Sequence, residues 1–592
     1  MKNHIRFSEY NDFIRMRLSG ILCYIILFTG SVSVLYAQQA YPENYFRAPL
    51  DIPMHLSGNF AELRADHFHS GIDIKTQGVT GKRVYAVADG YISRIKIESG
   101  GYGRTLYINH PEGYTTVYAH LNNFTPDISQ VVKMKQYETQ KHAVDIYPGK
   151  NQFPVKKGDV VAASGNSGYS FGPHLHFEIR NAANQHPLNV LSFGFDINDD
   201  VKPVIYSLFL YPVGNESVIN DLPEKISLPV SGTNGNYTLP QEGAITAFGK
   251  VGIGLEAYDY LNGSSNRCGI FSVDLLVNNR LINRMKMDEF SFNESRYINS
   301  LMDYEEKQKN KRNVFKTYIE PNNGLSIYES QINSGIIDIE PDTVYNIQMV
   351  LKDVYGNDTE LTFSITGGQP PSQAFSDDAG SNAIDLSWQE LTNFERDGIQ
   401  LTIPPNSFYT DIAFTYSTSE PVESTFSKVH HVHNQYTPVH LPFELKIKPD
   451  NLPGSLTDKA ILVTLDDEGD ISYAGGEWKD GLVIAQTRSF GLYAVAIDTT
   501  EPDIKPLNIP QSLDMSDKES VRFKVTDDLS GIQSYEGYIN NEWALFEYDA
   551  KNDLVYYIFD PERIAKGTSH ELELYIIDNK NNISFYYTEF YW

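Results

Sequence analysis

Two short histidine motifs, far apart in the chain, constrain its fold more than any other feature. The first, HFHSGIDI, sets His69 and Asp73 in an H-x-x-x-D pair; the second, GPHLHFEI, sets His174 and His176 in an H-x-H pair. Between them lies YAHL, with His120. Residues two apart on a strand share a face, so His174 and His176 both look into one cleft, where one can bind a metal while the other meets substrate. His69 and Asp73 have the same parity, yet a straight strand would hold their Cα atoms about 13 Å apart. Both reach one ion only if the chain bends, and Gly71 between them best tolerates a bulge or unusual dihedrals. A helix would stack i and i+4 on one side, but Ser-Gly-Ile-Asp-Ile is poor helix sequence. Imidazole nitrogens and a carboxylate oxygen suit Zn²⁺, and three protein ligands with an open fourth position define a catalytic site.

From about residue 50 to 190 the chain resembles the lysostaphin-type zinc endopeptidases, which cut the peptide part of bacterial peptidoglycan. The resemblance rests on HFHSGIDI, VYAVADGYI, GYGRTLYINH, TVYAHL, VKKGDVVAASGNSG and GPHLHFEI, in the family's order. One H-x-H is common; six ordered blocks are not. The resemblance implies Zn²⁺ held by His69, Asp73 and His176, with His120 and His174 as the catalytic histidines. It further implies an antiparallel β domain of the duplicated hybrid, barrel-sandwich type. Its partners would be the peptide stems and cross-links of peptidoglycan. Cell-wall carboxypeptidases of related zinc geometry differ, with six residues between the first His and Asp and a single later His. A relative that only binds the wall, or regulates another hydrolase, would be expected to have lost ligands, and here all five residues are present. VYAVADG and VKKGDVV also resemble half-motifs of biotinyl and lipoyl carriers, but no modifiable lysine sits in a matching hairpin tip.

The chain has no H-E-x-x-H glutamate to take a proton from water, so that duty falls to histidine, whose ordinary pKa near 6.5 suits it. His120 or His174 accepts the proton and the other stabilises the oxyanion; the sequence leaves the two roles open. His67 reads as a lining or structural histidine, His110 as a turn residue, and Glu178 either as a partner orienting a ligand or as a structural group.

The 592 residues carry a formal charge of −28, which excludes a nucleic-acid surface. Residues 1–37 read as a signal peptide: Lys2, Arg6, Arg15 and Arg17 precede the apolar run LSGILCYIILFTGSVSVLYA, with a cut after Ala37. An exported protein of the periplasm or envelope follows, membrane-anchored if the segment is kept. Cys268 is then the only cysteine, so no internal disulfide can form.

The chain reads as mainly β throughout. A catalytic domain at 41–196 is followed by three β-sandwich-like domains, at 198–367, 384–498 and 500–592, with a Gly/Pro/Ser-rich linker at 366–383. The first and last are expected to be immunoglobulin-like, because LEAYDYLNGSSNRCGIFSVDLLVNN parallels FKVTDDLSGIQSYEGYINN and YNIQMVLKDVYGN parallels HELELYIIDNKNN. The stretch SLMDYEEKQKNKRNVFK is expected to be a solvated helical insertion. Residues 122–155 are expected to form a surface excursion with a short helix, or one wall of the substrate groove. His431 and His433 repeat the H-x-H spacing without an H-x-x-x-D, the pattern of a polar strand. The three C-terminal domains are expected to act as spacers or as docking modules for an envelope protein. On this reading a fragment of residues 41–196 folds by itself.

Overall fold

Alternation decides the central element. In HLHFEIRN the residues His174, His176, Glu178 and Arg180 fall on one face, and Leu175, Phe177 and Ile179, all 0% exposed, fall on the other. The computed structural model describes residues 41–42, 44–240, 245–371 and 383–592; the signal-peptide reading of 1–37 and most of the 366–383 linker lie outside them. Everything below concerns the unit formed by residues 42–592.

From Leu56 to Leu188 the elements are β1 (Leu56–Gly58), β2 (Ile72–Lys75), β3 (Arg83–Tyr85), β4 (Gly90–Ile97), β5 (Arg104–Asn109), β6 (Tyr114–Ala119), β7 (Leu121–Phe124), α1 (Pro126–Thr139), β8 (Val144–Ile146), β9 (Pro154–Val155), β10 (Val160–Ser164), β11 (His174–Asn181) and β12 (Pro187–Leu188). One antiparallel sheet runs β1-β2-β11-β6-β5-β4-β8, with β12 on β11 and β9 on β4; a second runs β3-β10-β7. Register matters most at β11, where His176 lies opposite Asp73 of β2 on one side and Ala119 of β6 on the other. Three neighbouring strands thus carry the first motif, the second motif and the approach to His120.

Helix α1 begins at Pro126, a residue suited to the first helical position, with Asp127 favourable in the first turn, and ends where Gln140 turns left-handed at φ 50°. It is not a free excursion. Tyr137 packs edge-on against Trp543 at 5.3 Å with the Arg563 guanidinium 3.9 Å above its ring. Lys133 pairs with Asp560 and Glu562 at 2.5 and 2.8 Å. The helix is the surface on which the last β region sits.

Downstream the chain is β throughout. Residues 204–367 build one twelve-stranded sheet around a shared core; 384–497 give two five-stranded sheets and a two-stranded one; 503–591 give two four-stranded sheets over another core. The charged stretch near 300 is only partly solvated: it forms short helices at Ile298–Leu301 and Tyr304–Asn310, and Leu301 and Met302 are fully buried.

One feature departs from a chain of separable domains. Phe60 and Ala61 precede the first motif and Phe68 lies within it, yet all three belong to the hydrophobic core of residues 205–365. Phe60 and Phe68 lie 5.2 and 5.3 Å from the ring of Phe290. Asn59 exchanges two hydrogen bonds with Gly269, at 3.0 and 2.7 Å, and the Phe68 N–H donates to Ser295 Oγ at 3.0 Å.

Candidate active site

The two motifs meet. His69 Nε2, Asp73 Oδ1 and His176 Nδ1 lie 3.0–3.1 Å from one another. Two atoms held about 2.0–2.1 Å from one ion at a tetrahedral angle lie roughly 3.3 Å apart, so two nitrogens and an oxygen at this spacing fit a single divalent transition metal. The bend that brings His69 beside Asp73 falls at Gly71. The glycine is needed there for clearance and not for a left-handed dihedral: a Cβ at Gly71 would collide with the Phe177 carbonyl oxygen of β11.

Each of the three side chains is fixed from behind. His69 donates its Nδ1–H to the Asn59 carbonyl at 2.7 Å, which leaves Nε2 free as a lone-pair donor. Asp73 accepts from Arg64 Nη2 on Oδ2 at 3.0 Å, turning Oδ1 toward the histidines. His176 donates Nε2–H to Glu178 Oε1 at 2.8 Å, so Nδ1 is the nitrogen on offer. Glu178 is fully buried and also accepts from Ser70 Oγ at 2.6 Å, Tyr102 OH at 2.5 Å and Arg180 Nε at 2.5 Å. Burial works against its charge, but Arg180 and the His176 bond outweigh it and hold the carboxyl well below the usual range. Burial likewise opposes the charge on Asp73, and the three surrounding histidines overcome it. Tyr102 also stacks on the His176 ring at 5.1 Å, so the ring is held both at its edge and on its face.

His120 and His174 flank this triangle without joining it. Their ring centroids are 4.8 Å apart, and His120 is 5.9 Å from His176. His120 has φ 56°, a left-handed conformation uncommon outside glycine, asparagine, aspartate and histidine, which ends β6. It donates Nδ1–H to the Ser167 carbonyl at 2.8 Å, and His174 donates Nδ1–H to the Gly172 carbonyl at 2.9 Å. Both rings therefore keep Nε2 unprotonated when neutral; His174 Nε2 is 3.4 Å from Asp73 Oδ1. Burial and the neighbouring imidazoles of His176 and His174 push His120 down to about 3.

The other histidines lie elsewhere. His67 is exposed beside Asp66 and does not line the site. His110 is buried, bonded to the Asp89 carbonyl and Thr116 Oγ1 at 2.9 and 2.8 Å, a structural group more than a turn residue. His431 and His433 bond Ser419 and Thr437, and among the described residues neither pairs with a carboxylate. Cys268 is a buried free thiol.

Residues 67–140 match peptidase family M23, and residues 384–498 match a Zu5-like domain. The chain carries a peptidase family M23 domain. Over 123 residues it is 35% identical to an "uncharacterized metalloprotease" of Haemophilus influenzae, covering 21% of each chain. Over 130 residues it is 35% identical to the DD-carboxypeptidase/endopeptidase Mpg of Neisseria meningitidis serogroup B, covering 22% of this chain and 24% of that one. The chain therefore spans about a quarter or less of the length of these curated relatives. Among solved structures, the catalytic domain of the prophage-encoded M23 protein EnpA from Enterococcus faecalis is 24% identical, with a TM-score of 0.19, covering 24% of this chain and 94% of that one. The catalytic domain of lysostaphin from Staphylococcus simulans is 20% identical, with a TM-score of 0.17, covering 24% and 91%. The match to the M23 family includes His69, Asp73 and His120 and ends before His174 and His176. Those two join the M23 site through the register of β11.

Proposed function

We propose that this protein is an exported zinc endopeptidase that hydrolyses peptide cross-links of bacterial peptidoglycan. The observation that carries the reading is the triangle of His69 Nε2, Asp73 Oδ1 and His176 Nδ1 at 3.0–3.1 Å, with two further histidines beside it. The substrate class is supported by the six sequence blocks and by the similarity to the DD-carboxypeptidase/endopeptidase of Neisseria meningitidis.

A bound Zn²⁺ would lower the pKa of a water toward about 7 and polarise the scissile carbonyl. The chain's own residues supply the rest. His120 and His174 each present Nε2 to the cleft, because Nδ1–H is committed to a backbone carbonyl. One takes the proton from water, and the other, charged by a proton taken up from solvent, donates Nε2–H to the developing oxyanion; the depressed His120 is the poorer of the two at holding that charge. Glu178 and Asn59 hold the ligand histidines in the correct tautomer.

The test is digestion of purified sacculi with mass analysis of the released fragments. Peptide-linked fragments with newly freed termini are expected; intact sacculi left by metal-loaded protein would defeat the reading and leave a wall-binding or regulatory role. His174→Ala and His120→Asn, the latter chosen because asparagine tolerates the left-handed backbone, are expected to keep the metal and lower turnover by a factor on the order of 10² or more. Near wild-type rates in both variants would mean that neither ring takes part in proton transfer.

A further inference from the structure

Among the described residues, two groups of three carboxylates lie outside the M23 domain. Asp199, Asp259 and Asp353 bring oxygens within 4.8 Å of one another, and so do Asp498, Asp527 and Asp578. Asp259 and Asp353 occupy the same places in the sequence repeats noted above as Asp527 and Asp578, and Asp199 and Asp498 stand alike just ahead of them. Asp199 precedes Pro203 by the same interval as Asp498 precedes Pro502; Asp259 precedes Leu261 as Asp527 precedes Leu529; Asp353 precedes Asn357 as Asp578 precedes Asn582.

The asparagines make the same bonds in both. Asn357 gives its backbone N–H and Nδ2 to Asp353, at 2.8 and 2.6 Å, and Nδ2 to the Asp199 carbonyl at 3.1 Å. Asn582 gives N–H and Nδ2 to Asp578, at 2.8 and 2.7 Å, and Nδ2 to the Asp498 carbonyl at 3.1 Å. One scaffold is used twice to gather like charges that repel one another.

Acidic residues cluster for many reasons; oxygens left without donors are the separate observation. Asp259 is 3% exposed and its Oδ1 has no hydrogen-bond partner, and Asp199 Oδ2 is buried and unpartnered as well. In the second repeat Asp527 Oδ1 is unpartnered. So is the hydroxyl of Ser530, which is 2% exposed and whose own N–H binds Asp498 Oδ2 at 3.0 Å. A buried oxygen with no donor is costly unless a cation satisfies it.

We propose that each repeat binds one Ca²⁺ ion, through Asp199, Asp259 and Asp353 in the first and Asp498, Asp527 and Asp578 in the second. Every donor is an oxygen, the ligand of a hard cation, whereas the M23 site offers two imidazoles. Three oxygens within 4.8 Å of one another share a centre no more than about 2.8 Å from each, so small side-chain adjustments bring all of them to a Ca²⁺ ion at about 2.4 Å. In each repeat the three residues stand at its entry, after an early strand and in its closing turn, so the ion ties the point where the repeat begins to its own fold. That would set the angle between each repeat and the domain before it.

The experiment uses the full chain, stripped of metals with a chelator and then resupplied with Zn²⁺. Equilibrium dialysis against Ca²⁺ in the presence of equimolar Mg²⁺ is expected to leave about two calcium ions per chain, and the melting temperature is expected to rise with Ca²⁺ concentration. Asp259→Asn and Asp527→Asn are each expected to lose one calcium and the double variant both, with zinc content unchanged. His176→Ala, which disables the M23 site, is expected to keep both. The proposal is overturned if the folded wild-type chain takes up no calcium, or if the double variant binds as much as wild type.

Discussion

The His176→Ala protein is expected to emerge folded, without its metal and without measurable hydrolysis of sacculi. The ring does two jobs at once: Nδ1 is one corner of the ligand triangle, and Nε2–H is one of the donors to Glu178. Removing it leaves only His69 and Asp73, too few to close a zinc site, whose affinity depends on ligand number and geometry. The remaining structure can bear the loss. Glu178 keeps Ser70, Tyr102 and Arg180, so no buried charge is stranded, and the cost is chiefly the cavity left by the imidazole. Glu178→Gln should act more mildly, lowering metal affinity by about 10–100-fold, because it weakens the bond that orients His176 without deleting a ligand. Metal analysis beside circular dichroism separates these outcomes, with His431→Ala as the control that keeps its zinc. A folded His176→Ala chain that retains a full metal complement would remove the basis for the ligand assignment.

What could be read from the sequence followed from local periodicity. The parity of His174, His176, Glu178 and Arg180 along one strand is a two-residue pattern, and β11 obeys it. The bend at Gly71 could be expected because His69 and Asp73 cannot otherwise meet, although its cause, the close approach of the Phe177 carbonyl, needed the neighbouring strand. The supports of the site escaped detection for the same reason. Ser70 and Tyr102 fall inside the blocks HFHSGIDI and GYGRTLYINH without matching a ligand pattern, Arg64 lies outside every block, and all three reach Glu178 or Asp73 only through strand order and register. Arg180 had a signal, since it shares a face with Glu178 two residues away. The left-handed turn at His120 had none, and its ring bond to the Ser167 carbonyl joins residues 47 apart in the chain. Composition and repeats exposed β-rich segments downstream but not the helix α1 as a seat for residues 543–563, nor the loan of Phe60 and Phe68 to the next core.

That loan sets the second large effect. A fragment of residues 41–196 is expected to be strongly destabilised and poor at holding metal, against the self-sufficient domain that the sequence suggests. Cutting after 196 exposes Phe60 and Phe68, now 2% and 1% exposed. Burial of each phenylalanine is worth about 1.5–3 kcal/mol, a large share of the roughly 5–15 kcal/mol that keeps a domain folded. The damage falls on the site itself. Phe68 precedes the ligand His69, and Asn59, whose carbonyl holds His69 Nδ1, loses both of its bonds to Gly269. A fragment of 41–371 restores those contacts and is expected to regain cooperative melting and metal. It still lacks the last β region, where Glu547 pairs with Arg104 at 2.5 Å and Lys551 bonds the carbonyls of Asn166 and Gly168, on either side of the Ser167 that orients His120. Turnover of a small muropeptide by 41–371 should therefore fall below that of the full chain while metal content matches it, because His120 is left with a looser support. Thermal melts, metal content and muropeptide turnover for the three lengths test each step. If residues 41–196 melt and bind metal like the full chain, the neighbouring core is dispensable and His69 is positioned by the M23 domain alone.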